Sequence, residues 1–139
     1  MALTTTTEQV SGPVPITVVA LEGELDASNF ERLVDDVRGL YEAGTRHLLV
    51  DLAALTFLAS SGLVALHNIV RIMHGEEPFD PEAGWGALHS IDNDIEDEAT
   101  QREVQLAGPQ PAVARVLQRT GIDRMFVIHA DRAGGIADF

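Results

Sequence analysis

The sequence predicts an α/β fold, an open mixed β-sheet of about five strands flanked by about four helices, in a single domain of residues 1–139. Segments rich in β-branched residues alternate along the chain with segments whose apolar residues recur at helical intervals, which is typical of such a sheet. The length of 139 residues suits one core, and 45% hydrophobic against 22% charged residues is ordinary for a folded domain.

The first two strands are predicted at residues 4–10 and 16–21, which are rich in Thr, Val and Ile and are separated by Ser11, Gly12 and Pro13. This short connection indicates a β-hairpin. A helix should follow, because Ser28 and Glu31 have the spacing of a capping box and Gly44 is suited to end the helix. Its apolar positions recur every three or four residues: Phe30, Leu33, Val34, Val37, Leu40 and Tyr41.

The middle of the chain predicts a buried strand followed by a second helix. Residues 48–52 form a short apolar run between polar ends, as expected for a strand inside the sheet. The second helix should begin at Ser60, Ser61 and Gly62 and end near Gly75. Its apolar face is formed by Leu63, Leu66, Val70 and Met73.

The C-terminal part predicts a strand at 104–107, a helix that begins near Pro109 and Pro111 and ends at Gly121, and a last core strand at 125–128. Val113, Val116 and Leu117 are the apolar positions of that helix. Residues 131–139 form a short fourth helix in this interpretation, although Gly134 and Gly135 disfavour it.

Residues 75–103 are a compositional insert, with ten carboxylates against one Arg102, and we expect a long acidic surface loop there. Asp92, Asp94, Glu96 and Glu103 match positions of a calcium-binding loop, but Asp97 stands where that loop needs glycine, so calcium binding is not expected. Two alternatives remain open for the insert. It binds a basic patch on a partner, or it masks an interface of this protein.

Composition excludes several functional classes. A net charge of −13 repels phosphate backbones and anionic lipid, so direct binding to nucleic acid or to a membrane surface is not expected. The longest apolar stretches are short, so membrane insertion is not expected either. Without Cys the chain has no thiol nucleophile and no thiolate-zinc site, and a reducing compartment, the cytoplasm, is favoured. Without Lys it has no Schiff-base chemistry. His67 and His74 lie two helical turns apart, too far for one ion, so neither a metal site nor a cofactor is predicted.

Ser60 and Ser61 allow two interpretations. The plainer one is that one of them is the helix N-cap, since serine is common at that position. The other is a phosphorylation site, because free backbone N–H groups and the positive end of the helix dipole tolerate a phosphate there. A hydrolase based on Ser60 is not expected, because its surroundings lack the Gly-x-Ser-x-Gly pattern of a nucleophile elbow.

Four motifs, in order and in spacing, resemble the STAS domain of bacterial anti-sigma factor antagonists, over roughly residues 3–74 and 104–139. They are Gly23-Glu24-Leu25-Asp26, Leu48-Leu49-Val50-Asp51-Leu52, Phe57-Leu58-Ala59-Ser60-Ser61-Gly62-Leu63, and Val116-Leu117 with Thr120-Gly121-Ile122.

The resemblance implies a STAS-like fold and a site at the start of the second helix. In that family a serine at the position of Ser60 is phosphorylated by an anti-sigma factor that is a serine kinase. It also implies that Asp26, Ala59, Ser60, Ser61 and Gly62 contact the partner. Asp26 has an equally good interpretation as a capping residue, and Asp51 is interpreted as structural. The family often has Asp immediately before the phosphorylated serine, whereas this chain has Ala59.

The expected function is therefore that of a regulatory protein-binding module rather than an enzyme. It resembles an anti-sigma factor antagonist that binds an anti-sigma serine kinase and is switched at Ser60. The alternative is a STAS-like binding module in a lipid-transport or other signalling assembly without sigma-factor control. The sequence does not indicate an oligomeric state.

Overall fold

The structure, a computed structural model, describes residues 2–76 and 101–139. Its elements are β1 (Leu3–Ser11), β2 (Pro15–Leu25), α1 (Phe30–Glu42), β3 (Leu48–Leu58), α2 (Ser60–Met73), β4 (Gln101–Ala107), α3 (Pro111–Thr120), a 3₁₀ turn (Ile122–Met125), β5 (Phe126–His129) and α4 (Arg132–Asp138). The predicted α/β architecture is confirmed, with five strands and four helices among the described residues.

The five strands form one sheet in the order β1-β2-β3-β4-β5. The predicted hairpin is confirmed, because β1 and β2 pair antiparallel from Leu3 opposite Gly23 to Ser11 opposite Pro15. The other neighbouring pairs are parallel, which makes the sheet mixed. As predicted from its apolar run, β3 lies at the centre of the sheet, between β2 and β4.

The two faces of the sheet are covered to different extents. The larger apolar cluster lies on the face against which α1, α2 and α3 pack, and it includes Leu33, Val37, Leu66, Ile69, Val113 and Leu117. A smaller cluster on the opposite face consists of Ile16, Val18, Leu49 and Ala107, with Ile136 and Phe139 from the C-terminal end packed on it. The helices α1, α2 and α3 therefore cover one face of the sheet, whereas α4 covers a limited part of the other face.

Both central strands are longer than predicted, since β2 continues to Leu25 and β3 to Leu58. The reason in β3 is a change of spacing. Leu52, Leu55 and Leu58 are buried at intervals of three. The reason is that β3 contains one extra residue opposite the β2 segment from Ala20 to Glu22. It contains another opposite the step from Gly23 to Glu24. These two β-bulges break the alternation by which a strand is recognised in a sequence.

The predicted capping box at the start of α1 is wrong. The N-cap is Asn29, without a side-chain cap hydrogen bond, and the Ser28 hydroxyl donates to the Asp26 carboxylate instead. The helix ends are close to those predicted: Pro111 begins α3, and Gly121, with a φ of 78°, follows its last residue in the left-handed conformation that glycine adopts at little cost.

The predicted acidic loop, residues 75–103, falls largely outside the described residues. Its C-terminal end is corrected, because β4 begins at Gln101. Among the described residues, no helix is long and apolar enough to span a membrane.

Candidate functional site

The site predicted from the sequence lies where β2 and β3 end side by side. The backbone N–H of Ala59 donates to the carbonyl of Leu25 at 3.0 Å. Asp26 and Ser60 each follow one member of this hydrogen-bonded pair. The β2–α1 loop and the start of α2 are therefore neighbours, which places two motifs more than thirty residues apart in the chain at one edge of the sheet.

Ser60 is the first residue of α2 and is exposed. The N-cap is Ala59, in an extended conformation, and no side chain caps the helix. The interpretation of Ser60 or Ser61 as an N-cap is therefore wrong in its geometry, because both lie inside the first turn. The Ser60 hydroxyl has no hydrogen-bond partner within residues 2–76 and 101–139, so it faces solvent at the positive end of the helix dipole.

Gly62 is buried beneath this first turn and contacts the core. A Cβ at this position would lie 2.5 Å from Leu58 Cδ1 and 3.0 Å from Leu25 Cγ. Glycine at this position thus allows the close approach of α2 to these two side chains. In the described part of the chain, the lack of a side chain at Gly62 lets α2 begin directly against the ends of β2 and β3. Ser60 is thereby placed at the surface. Ser61 is half-buried beside it.

Asp26 organises its own loop. Its carboxylate accepts hydrogen bonds from the hydroxyl of Ser28 and from the Ser28 backbone N–H at 2.9 Å. Its own backbone N–H donates to Asn29 Oδ1 at 3.0 Å, and Asn29 Nδ2 donates to the Glu24 carbonyl at 2.9 Å. The hydrogen bond from the Ser28 side chain, followed by that from its backbone, lowers the pKa of Asp26. The Asp26 side chain therefore closes a turn within the β2–α1 loop, but it does not cap α1, whose N-cap is Asn29.

The described residues contain no hydrogen bond between Asp26 and Ser60. Asp26 is therefore placed beside the serine without orienting its hydroxyl, and Ala59 adds no carboxylate. No group of three or more His, Asp or Glu within 2–76 and 101–139 is arranged to hold a metal ion. Asp51 lies elsewhere, buried and bonded to Arg132 Nε at 2.9 Å, in agreement with its structural interpretation.

Sequence analysis did not single out one exposed aromatic residue near the site. Phe57 is 45% exposed, three residues before Ser60 and paired with Glu24 of β2. The signal that it is exposed is the three-residue spacing of Leu52, Leu55 and Leu58, which turns the leucines to the core and leaves Phe57 on the other side.

Comparison with known proteins identifies the class of the protein. The family model described as "Mlab, STAS domain" matches residues 10–77. This range contains β2, α1, β3 and α2, and hence every residue of the predicted site. Residues 10–77, just under half of the chain, therefore match the STAS domain, as the motifs indicated.

The solved structures that the chain resembles include anti-sigma factor antagonists. One from Mycobacterium paratuberculosis has a TM-score of 0.67 at 21% identity, covering 96% of this chain and 91% of that one. A putative antagonist from Thermotoga maritima has a TM-score of 0.62 at 17% identity, covering 86% and 82%. SpoIIAA in its unphosphorylated form has a TM-score of 0.55 at 16% identity, covering 93% and 89%. No curated protein matches the chain in sequence.

Proposed function

We propose that this protein is a regulatory binding module that binds an anti-sigma factor and is switched by phosphorylation of Ser60. The observation that carries the proposal is the exposure of the Ser60 hydroxyl at the first residue of α2, beside the end of β2. The fold, shared with anti-sigma factor antagonists, supports the class of partner. SpoIIAA, one of the similar proteins, has been solved in a phosphorylated form.

The physical basis of the switch is the change that a phosphate makes to a fitted surface. It adds a charge of about −1.5 to −2 and a strongly hydrated group at the position of a small neutral hydroxyl. The free N–H groups of the first turn of α2 tolerate the phosphate, so the helix persists. A partner seated over Ser60 loses contact, however, because the phosphate must be desolvated in the interface.

The experiment is phosphorylation with purified anti-sigma factors from the same genome and ATP, read by intact mass. We expect one phosphate on the wild type and on Ser61→Ala, and none on Ser60→Ala. The Ser61→Ala protein is the matched control because it removes the neighbouring hydroxyl of the same turn. Phosphate on Ser60→Ala, or its absence from the wild type with every kinase tested, contradicts the proposal.

A second candidate is a binding module of a lipid-transport or other signalling assembly without sigma-factor control. The observation that favours this candidate is the matching family model, whose description includes the name "Mlab". Ala59 also favours this candidate, because anti-sigma factor antagonists often have an acidic residue immediately before the phosphorylated serine. If this candidate is correct, no anti-sigma factor binds the wild type, and replacing Ser60 by Ala or Asp leaves the assembly unchanged.

A further inference from the structure

Within residues 2–76 and 101–139, no helix covers one half of a sheet face. On the face opposite α1, α2 and α3, the helix α4 packs over the strand halves that hold Ile16, Val18 and Leu49. Towards the carboxyl ends of β2 and β3 the same face is exposed, at Thr4, Thr6, Glu22, Ala54 and Phe57. Parallel strands such as β2 and β3 normally have both faces covered. The bare half is therefore a surface on which a partner can be seated.

Register places the exposed side chains together. Glu22 pairs with Ala54 and Glu24 with Phe57, and directly opposed residues of neighbouring strands share one face. The bulges in β3 bring Phe57 to this face, because the adjacent Leu58 is buried on the other one. We call the surface formed by Glu22, Glu24, Ala54 and Phe57 the Phe57 patch.

The carboxylates of the Phe57 patch have no cationic partner among the residues that the structure describes. Neither Glu22 nor Glu24 makes a side-chain hydrogen bond or an ion pair within the two described ranges. Arg132, which lies on the same side of the sheet, is already bonded to Asp51 Oδ2 at 2.8 Å and to Glu8 Oε2 at 3.0 Å. The patch thus combines one exposed aromatic ring with two carboxylates that are unpaired within the described part of the chain.

We propose that the Phe57 patch is a recognition surface for the anti-sigma factor, and that it takes a partner segment with an arginine or lysine beside an apolar pocket. Phe57 fills the pocket, and Glu22 and Glu24 pair with the cation, which also lies close enough to contact the aromatic ring. This inference rests on the proposed function and specifies the chemistry of the partner. A buried aromatic anchor surrounded by charge pairs is the usual composition of an energetic centre in a protein interface.

The position of the patch explains how Ser60 acts on it. Phe57 is the penultimate residue of β3, and Ser60 begins α2, which packs on the opposite face of the sheet, so a partner that contacts both the ring and the hydroxyl spans the edge at which β3 ends. A hydrated phosphate there holds the two surfaces apart, and the ring no longer reaches its pocket.

The test of the anchor is the affinity of the purified anti-sigma factor for Phe57→Ala, measured by calorimetry. We expect the dissociation constant to rise at least tenfold. The matched control is Ile128→Ala, which truncates the other large apolar side chain exposed in the described sheet, 36% exposed on β5. Its affinity should stay within twofold of the wild type, and both variants should keep the wild-type melting temperature within a few degrees.

The test of the charges is the association rate of Glu22→Arg at several salt concentrations. We expect slower association and a weaker salt dependence than in the wild type, because an attractive pair has become repulsive. Glu42→Arg makes the same charge change at an exposed position at the end of α1 and should leave the rate near that of the wild type.

The outcomes separate this inference from the proposed function. If the wild type binds and is phosphorylated at Ser60 while Phe57→Ala binds equally well, the Phe57 patch is not the anchor and the proposed function stands. If no anti-sigma factor binds the wild type, the proposed function and this inference are both overturned. An affinity loss in Ile128→Ala equal to that in Phe57→Ala also overturns the inference, because the effect is then not specific to the patch.

Discussion

The glycine beneath the first turn of α2 is the residue on which the position of Ser60 depends. Gly62 has no room for a methyl group, because the Leu58 and Leu25 side chains would lie 2.5 and 3.0 Å from its Cβ. Both leucines are buried among other core side chains and have little space to move. A larger residue must therefore displace either the start of α2 or the ends of β2 and β3.

We predict that Gly62→Ala lowers the free energy of unfolding by about 1–2 kcal/mol, because the steric cost exceeds the gain in helix propensity. The control is Gly39→Ala in α1, where a Cβ has no neighbour within 4 Å. That substitution should stabilise the protein by about 0.5–1 kcal/mol. Urea denaturation of the two variants measures both signs, and equal effects would contradict the packing described at Gly62.

Asp26 gives a second prediction at the scale of a single residue. Ser28→Ala removes the hydroxyl that contributes most to lowering the pKa of Asp26, so this pKa should rise towards the ordinary value for a carboxylate. A carboxylate with a lowered folded-state pKa adds stability that is present above its unfolded pKa and is lost as the pH falls through the folded one. The variant should therefore lose this pH-dependent stability in the acid range. Carboxyl carbon NMR titration of both proteins measures the shift, and an unchanged pKa would contradict it.

At the scale of elements, the helices were the most predictable part of the chain. The periodicity of the apolar residues in α1, α2 and α3, with Gly44 and Gly121 after two of them, is a local property of the sequence. The second halves of β2 and β3 were missed for a local reason too. Leu52, Leu55 and Leu58 have a spacing that fits neither a regular strand nor a full helical turn, and only pairing with β2 shows that it arises from two bulges.

The candidate site was predictable only where it is formed by contiguous motifs. Ser60 was identified because it begins a helix, and its proximity to Asp26 was implied by the resemblance to the STAS domain. Phe57 and Glu22 were not identified, since exposure of an aromatic residue in a strand depends on which half of a face α4 leaves bare. Such a property belongs to the packing of elements distant in sequence.

The attachment of α4 gives a prediction for an element. Arg132 joins this helix to β3 through Asp51, whose side chain is 12% exposed. We expect Arg132→Met to cost about 1–3 kcal/mol, because it leaves the buried carboxylate of Asp51 without its cation. In a double-mutant cycle with Asp51→Asn, the two effects should be coupled by about 1 kcal/mol or more.

The control for this cycle is Glu8→Gln, which removes the more exposed partner of Arg132 and should cost less than about 1 kcal/mol. Urea denaturation measures all four variants. Additive effects of Arg132→Met and Asp51→Asn would mean that the ion pair does not hold α4.

For the whole molecule, the net charge of −13 works against compactness through repulsion between like charges. We predict that raising NaCl from about 0.01 M to 0.15 M, which shortens the screening length from about 30 Å to 8 Å, raises the melting temperature at pH 7. Near the isoelectric point of about 4.5 the same salt step should have little effect, since the repulsion has been removed. Equal salt effects at both pH values, read by differential scanning calorimetry, would contradict this.

The helix that carries Ser60 is enclosed along nearly all of its length, with every residue from Gly62 to Val70 buried. A helix packed so tightly resists tilting and sliding, so we expect that a phosphate added at Ser60 would leave distant parts of the domain unchanged. Under the proposed function, a partner that senses this phosphate must therefore contact it directly.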